Sequence, residues 1–325
     1  GRGGKRPSHI MPIPCYICPV KRRPSEADFK SDGAFVTMKI GVVFPQTEIG
    51  PDAGGVRAYT QAVETMGYTH VLAYDHVIGA NLANRPDWKG PYSLETAFHE
   101  PFVLFSFMAG MTGTLEFATG IVILPQRQTV LVAKQAAALD VLSEGRFRMG
   151  IGIGWNEVEY ESLGEEFTNR GARSEEQIAL MRALWTRDSV NFEGRWHSIP
   201  DAGINPLPVQ RPIPIWFGGG ADVVVKRIAR IADGWMPMWQ PDEAGLKELD
   251  KLFTYAKEAG REGSDIGING RITADLSNED GWLAAVEAWR GIDADYIDIN
   301  TMGQGLSGAD AHIERLEKFR LAAGL

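Results

Sequence analysis

The chain has 325 residues, 44% of them hydrophobic and 10% aromatic. That is enough to bury a large core, which excludes a disordered or fibrous protein. A formal charge of −9 argues against nucleic acid or anionic lipid as the main partner. No stretch approaches the ~18 consecutive apolar residues of a membrane-spanning helix.

Both cysteines, Cys15 and Cys18, stand near the N-terminus, so the body has no thiol chemistry and a reducing, cytoplasmic setting is expected. Residues 1–37 hold seven Lys/Arg against three Asp/Glu, a charge of +4 that leaves −13 on the other 288 residues. They also contain five prolines and show neither helical nor strand periodicity, so they are expected to form a disordered extension. Cys15-Tyr16-Ile17-Cys18 is a lone CxxC with no second pair, a weak zinc signal. Residues 38–325 are expected to form one domain.

From Met38 onward, short apolar strands alternate with helical segments. The first strand is 39–44, followed by a helix over 54–66 that stops at Gly67, and the second strand is 70–75. A polar stretch rich in Gly, Pro and Asn runs to residue 100, too long for an ordinary connection and therefore read as a functional or lid-like insertion. Pro101 opens an apolar helix, 116–122 is the third strand, a helix over 130–143 ends at Gly145, and 146–153 is the fourth strand.

In the second half, Ile178, Met181, Leu184 and Trp185 share one helical face. Strands follow at 214–217, 234–238, 267–274 and 296–300. The helices after them run to about 232, over 242–260, over 279–290 and from 309. Eight strand–helix units predict an α/β fold, a (β/α)8 TIM barrel with insertion loops at its C-terminal face. A doubly wound open sheet is the alternative.

A barrel places its chemistry at the carboxyl ends of the strands. Those positions hold Gln46, Asp75-His76, Gly120-Ile121-Val122, Gly154-Trp155-Asn156, Gly218-Gly219-Gly220, Trp235 to Met238, Arg271, and Asn300 to Gly303. They are rich in glycine and aromatics and poor in paired carboxylates, which suits a large planar cofactor carrying a phosphate. The three glycines at 218–220 precede an apolar helix, where backbone N–H groups would receive a phosphate.

Other motifs fail. A dinucleotide loop read from Gly150 needs glycine where Trp155 stands, and read from Gly152 it needs glycine at Glu157. His99-Glu100 lacks the second histidine of a zincin, because Val103 stands there. No nucleophile elbow or Walker loop occurs. A barrel glycosidase would have only Asp75, Glu157 and Asp298 as carboxylates to draw on.

Four fragments stand in an order that resembles the luciferase-like monooxygenases: Gly152 to Tyr160, Ala183-Leu184-Trp185-Thr186, Pro214 to Gly220, and Ala232-Asp233-Gly234-Trp235. The likeness is greatest to the branch using the 5-deazaflavin coenzyme F420, and it runs from Met38 to about Leu325. It implies that His76 lies at the reactive face of the ring. It further implies a bulge with a non-proline cis peptide at Gly120-Ile121, with Val122, behind the ring. Gly218, Gly219, Gly220 and Ala221 would hold the phosphate, and Gly154, Trp155 and Asn156 would form the loop after the fourth strand.

The sugar-phosphate dehydrogenase branch has a catalytic glutamate where this chain has Trp155, which speaks against sugar-phosphate oxidation. With F420 the reaction implied is hydride transfer to or from a small organic substrate. With FMN it would be an oxygen-using monooxygenase, and a non-catalytic flavin-binding protein is a third reading. The expected partner is a small molecule, with a homodimer as the assembly and neither nucleic acid nor membrane engaged.

Four residues carry a second reading from local pattern alone, and for Trp155 it is packing in the barrel mouth. His76 would be a structural histidine. Asn156 would cap the next helix with Glu159 as its capping-box partner. Arg271 would pair either an anionic ligand or a barrel carboxylate.

Overall fold

The computed structural model describes residues 38–324. The extension 1–37 and its CxxC pair lie outside the described residues. Eight parallel strands close into a barrel: β1 (Lys39–Val43), β2 (His70–Tyr74), β3 (Glu116–Ile123), β4 (Phe147–Gly152), β7 (Ile215–Gly218), β8 (Gly234–Met236), β9 (Gly267–Thr273) and β10 (Tyr296–Asn300). Their order around the ring is β1-β10-β9-β8-β7-β4-β3-β2, so the open sheet is excluded.

The helices cover the outside. Chief among them are α2 (Ala53–Thr65), α3 (Pro101–Ala109), α4 (Thr129–Leu142), α6 (Arg170–Thr186), α7 (Asp222–Ile231), α8 (Glu243–Glu258), α9 (Trp282–Arg290) and α10 (Gly308–Ala322). Local chemistry marks several starts. Asp52 accepts from Gly54 N–H before α2, Asp242 from Gly245 N–H before α8, and Glu100 from Val103 N–H before α3, where Pro101 takes the first position. No helix among the described residues is long and apolar enough to cross a membrane.

Strand alternation sorts the side chains into two cores. Val42, Val71, Phe117, Met149, Ile215, Ile297 and Ile299 face outward into the helix layer, all fully buried. Burying such a side chain contributes about 1.5–3 kcal/mol. The inward positions build a smaller cluster of Val43, Leu72, Ala118, Trp216 and Met236, with Tyr74, Ile121, Tyr296 and Met302 above and below.

Glycines on the inner face make room for these large groups. A Cβ on Gly150 would run into Met236 and the Thr119 carbonyl, and one on Gly234 into the Trp216 ring. A Cβ on Gly152 would likewise run into Ile121, so Gly150 and Gly152 serve close packing inside the strand.

The hairpin after α6 differs from the sequence expectation, whereas the 77–100 insertion matches it. Between α6 and β7, where the sequence reading places no element, β5 (Val190–Glu193) and β6 (Ser198–Ala202) pair as an antiparallel hairpin outside the barrel. Glu176 on α6 pins it, accepting from the N–H groups of Arg195, Trp196 and His197 and from His197 Nδ1 at 2.7 Å. The 77–100 insertion is irregular apart from one 3-10 turn at Leu82–Asn84. It folds over the rim, bringing Tyr92 and Phe98 against His76.

Candidate active site

The site is built at the C-terminal rim, where β2, β3 and β4 end beside one another. Asp75, the residue after β2, ties this corner together. Its Oδ2 accepts from Ile123 N–H (3.0 Å) and its Oδ1 from Arg127 Nη2 (2.8 Å), while Arg127 Nη1 reaches Glu100 Oε1 (2.9 Å). Burial pushes the Asp75 carboxyl up although Arg127 pulls it the other way. Asp75 is therefore committed to structure.

His76 is 8% exposed. Its Nδ1 lies 3.1 Å from Glu159 Oε1, and the Tyr92 and Phe98 rings lie 5.5 and 5.2 Å from its own. Glu159 sits on α5 (Glu157–Ser162) and also accepts from Val77 N–H (2.5 Å), Ile78 N–H (3.3 Å) and Gln126 Nε2 (3.2 Å). A carboxylate held this way fixes the proton on Nδ1, so Nε2 presents either a lone pair or, when the ring is charged, a second proton. Nε2 is buried and has no hydrogen-bond partner among the described residues. Such a group is costly unless something polar meets it.

Glu159 was expected only as a capping-box residue. The structure uses it otherwise: Asn156 stands at the N-cap of α5 but makes no capping hydrogen bond. Asn156 is 2% exposed, and both its Oδ1 and Nδ2 are without partners. Asn-x-x-Glu reads as a cap in sequence, and only the tertiary approach of α5 to β2 turns Glu159 toward His76.

Burial would push the Glu159 carboxyl up, but the hydrogen bonds from His76, Val77 and Gln126, with the His76 charge, outweigh it and hold it below the ordinary 4.5. A folded value below the unfolded one contributes stability above 4.5 and loses it as pH falls through the folded value. Glu159→Gln should therefore lower Tm at neutral pH, by about 1–3 kcal/mol of stability, and the gap to wild type should narrow below pH 4.5. Thermal melts of both proteins across that range check it. A gap that stays constant with pH would count against the charge of Glu159 being what matters.

At β3 the pairing jumps from Ala73–Thr119 to Tyr74–Ile121, leaving Gly120 as the extra residue of a bulge. The bulge is present, but the cis peptide is not. Cis bonds among the described residues occur at Asn205-Pro206 and Arg211-Pro212. A non-proline cis bond costs about 3–4 kcal/mol, and the bulge accommodates the extra residue without one.

Gly120 is needed for space, because a Cβ there would run into Leu72 and Tyr74. The Ile121 side chain lies over Gly152 and Gly218, whose absent Cβ atoms it replaces. Val122 points the other way, into the helix layer, so only its backbone faces the rim.

The remaining predicted residues stand around the opening. Gly154 has φ +66°. Trp155 is 46% exposed and meets Trp88 at 5.7 Å, and with Asn156 it borders a cavity of about 860 Å³ under residues 84–91. Gly218 ends β7, and Gly219 turns the chain at φ +104° while its carbonyl accepts from Trp235 Nε1 (2.8 Å). Gly220 and Ala221 are exposed, nothing lies within 4 Å of where a Gly220 Cβ would stand, and Ala221 offers no side-chain cap to α7. The first N–H groups of that helix are thus open to an anion.

The glycosidase carboxylates are not free to act as a pair. Asp75 is engaged as above, and Asp298 accepts from His70 Nε2 (2.8 Å) and Asn269 Nδ2 (2.7 Å) inside the barrel.

A closed (β/α)8 barrel whose rim carries a buried His–Glu pair, a bulge and a glycine turn defines a barrel protein with its binding chemistry at the C-terminal mouth. The chain belongs to the luciferase-like monooxygenase family, whose model matches residues 36–322.

An uncharacterised protein of Mycobacterium tuberculosis is 36% identical over 209 residues, 62% of this chain and 70% of that one. The F420-dependent glucose-6-phosphate dehydrogenase of Amycolatopsis mediterranei is 31% identical over 205 residues, 61% of this chain and 57% of that one. The FMNH2-dependent dimethylsulfone monooxygenase of Pseudomonas putida is 29% identical over 185 residues, 56% of this chain and 50% of that one. Among solved structures, the coenzyme F420-dependent tetrahydromethanopterin reductase of Methanopyrus kandleri shares the fold at TM-score 0.62 and 15% identity, covering 87% of this chain and 97% of that one. The family thus holds oxidoreductases that depend on F420 and others that depend on FMN.

Proposed function

We propose that the protein is an oxidoreductase that passes a hydride between coenzyme F420 and a small organic substrate. The observation that carries this reading is His76: a buried imidazole, oriented by a carboxylate on one edge and unpartnered on the other, beside a bulge that lines the barrel mouth.

The residues present fit a phosphate-bearing ring cofactor. The orphaned Nε2 of His76 and both polar atoms of Asn156 need a polar partner. The open turn at Gly219, Gly220 and Ala221 suits a phosphate, with Gly218 leading into it. Ile121, with the backbone of Gly120 and Val122, would back the ring, and Gly154, Trp155 and Asn156 would flank it.

When bound, the deazaflavin supplies two-electron hydride chemistry. The chain's own residues then position and protect. Glu159 keeps a proton on His76 Nδ1, and His76 holds or delivers a proton at Nε2. Tyr92 and Phe98 shield that nitrogen from water. Trp155, standing where sugar-phosphate dehydrogenases of the F420 branch have a catalytic glutamate, argues for a substrate other than a sugar phosphate. The likeness to the dimethylsulfone monooxygenase favours a second reading, an FMN-dependent monooxygenase using molecular oxygen.

Titrating the apo-protein with F420 and with FMN separates the two. Tighter binding of F420 is expected. Tighter binding of FMN would move the protein to the monooxygenase reading, and binding of neither would remove both.

A further inference from the structure

Inside the barrel, Asp298 accepts from His70 Nε2 and Asn269 Nδ2. Two arginines are not matched. Arg148 is enclosed, with its guanidinium over the Tyr296 and Trp216 rings at 3.6 and 4.5 Å and no hydrogen-bond partner for any of its three nitrogens among the described residues.

Arg271 is the second, and it stands nearer the rim. It follows Asn269 on the inner face of β9, and its guanidinium reaches across the lumen to lie 5.1 Å from the centre of the Tyr74 ring on β2. Its Nε is buried and unpartnered. Neither Nη bonds to a described residue, although the backbone carbonyl of Arg271 accepts from Gln240 Nε2.

The carboxylates that could have answered it are engaged elsewhere. Glu48 accepts from Gly303 N–H (2.8 Å) and from Thr47 Oγ1 (2.6 Å), Glu159 is held by His76, and Asp298 lies with His70. Burial pushes the Tyr74 phenol up to about 12, with Arg271 pulling against it, so the ring stays neutral and serves as a π-face. The Tyr74 face meets the guanidinium on one side only, and the guanidinium's terminal N–H groups, which bond to no described residue, stay open to a ligand. That N–H fork matches a carboxylate bidentately. The surroundings are aromatic: Tyr74 lies under Arg271, and Tyr92 and Phe98 pack on each other and against His76.

We infer that Arg271 receives the carboxylate of the substrate, and hence that the substrate class is a small aromatic or conjugated carboxylic acid. Its carboxylate would lie on Arg271 and its apolar body along Tyr92 toward His76. The inference rests on the oxidoreductase reading above and adds the substrate's charge to it.

Benzoate and its neutral isostere benzamide, titrated calorimetrically into the full-length apo-protein, test the inference without any cofactor. Wild type is expected to prefer benzoate. Arg271→Gln should weaken benzoate by about 10- to 100-fold, the loss of a charge-assisted pair, and leave benzamide and cofactor binding unchanged. If that variant melts early, Arg271→Lys keeps the charge without the fork and should show a smaller loss of benzoate binding.

Equal binding of the two probes by wild type, or unchanged benzoate binding in Arg271→Gln, overturns the inference. So does a loss of F420 or FMN affinity in place of benzoate affinity, which would assign Arg271 to the cofactor. Failure of the oxidoreductase reading looks different, because benzoate preference would persist while neither cofactor binds.

Discussion

Replacing His76 with alanine is expected to slow turnover by about 10²–10⁴-fold, the usual effect of removing a general acid or base. Binding of the cofactor should change far less, because the Gly219 to Ala221 turn and the apolar Ile121 floor do not depend on the imidazole. Glu159 would keep its bonds from Val77, Ile78 and Gln126, so the corner should hold its shape.

A purely structural histidine predicts the reverse pattern, with melting temperature lost and turnover per folded molecule retained. Three measurements on one variant separate the cases: thermal melting, cofactor titration, and the single-turnover rate with the acceptor that wild type uses fastest. The pH–rate profile adds a further check, since any ionisation limb due to the imidazole should vanish in His76→Ala. A transfer rate close to wild type would remove His76 from the chemistry.

The second large effect belongs to the glycine turn. Gly219→Val is the substitution the sequence suggests for blocking a phosphate, but φ +104° at that residue strains any side chain there, so a weakened protein would be ambiguous. Gly220 has no such φ and opens on free space. Gly220→Val should leave Tm nearly unchanged and place two methyl groups where the anion approaches. Losing one or two charge-assisted N–H bonds and the favourable end of the helix dipole should weaken cofactor binding by about 10- to 100-fold. Fluorescence titration beside a melting curve reads both quantities. Full affinity in a stable Gly220→Val protein would show that the phosphate, if one binds, lies elsewhere.

Much of the architecture is legible before any coordinates. The eight strands lie within a residue or two of their expected bounds, because buried parallel strands read as short apolar runs between glycine and proline breaks. The β5–β6 hairpin was missed. β5 alternates over only four residues and β6 is almost wholly exposed, and Glu176 on a distant helix contributes much of the anchoring. The strand-end rule picked out His76 and the glycines of the turn by position alone.

The sequence by itself determined the barrel and the residue types gathered at its strand ends, since periodicity and strand count are properties of the chain order. Only the tertiary structure decided what those residues meet. It turned Glu159 from an expected cap into the partner of His76, left Asn156 buried with neither polar atom engaged, and made the bulge at Gly120 without a cis bond. It also left Arg271 without a barrel carboxylate, laying it over Tyr74 on a strand nearly two hundred residues earlier in the chain. The physical reason is common to all four. Hydrogen bonds and ion pairs are made across space between separate strands and helices, and their partners depend on how the closed barrel brings strand ends together.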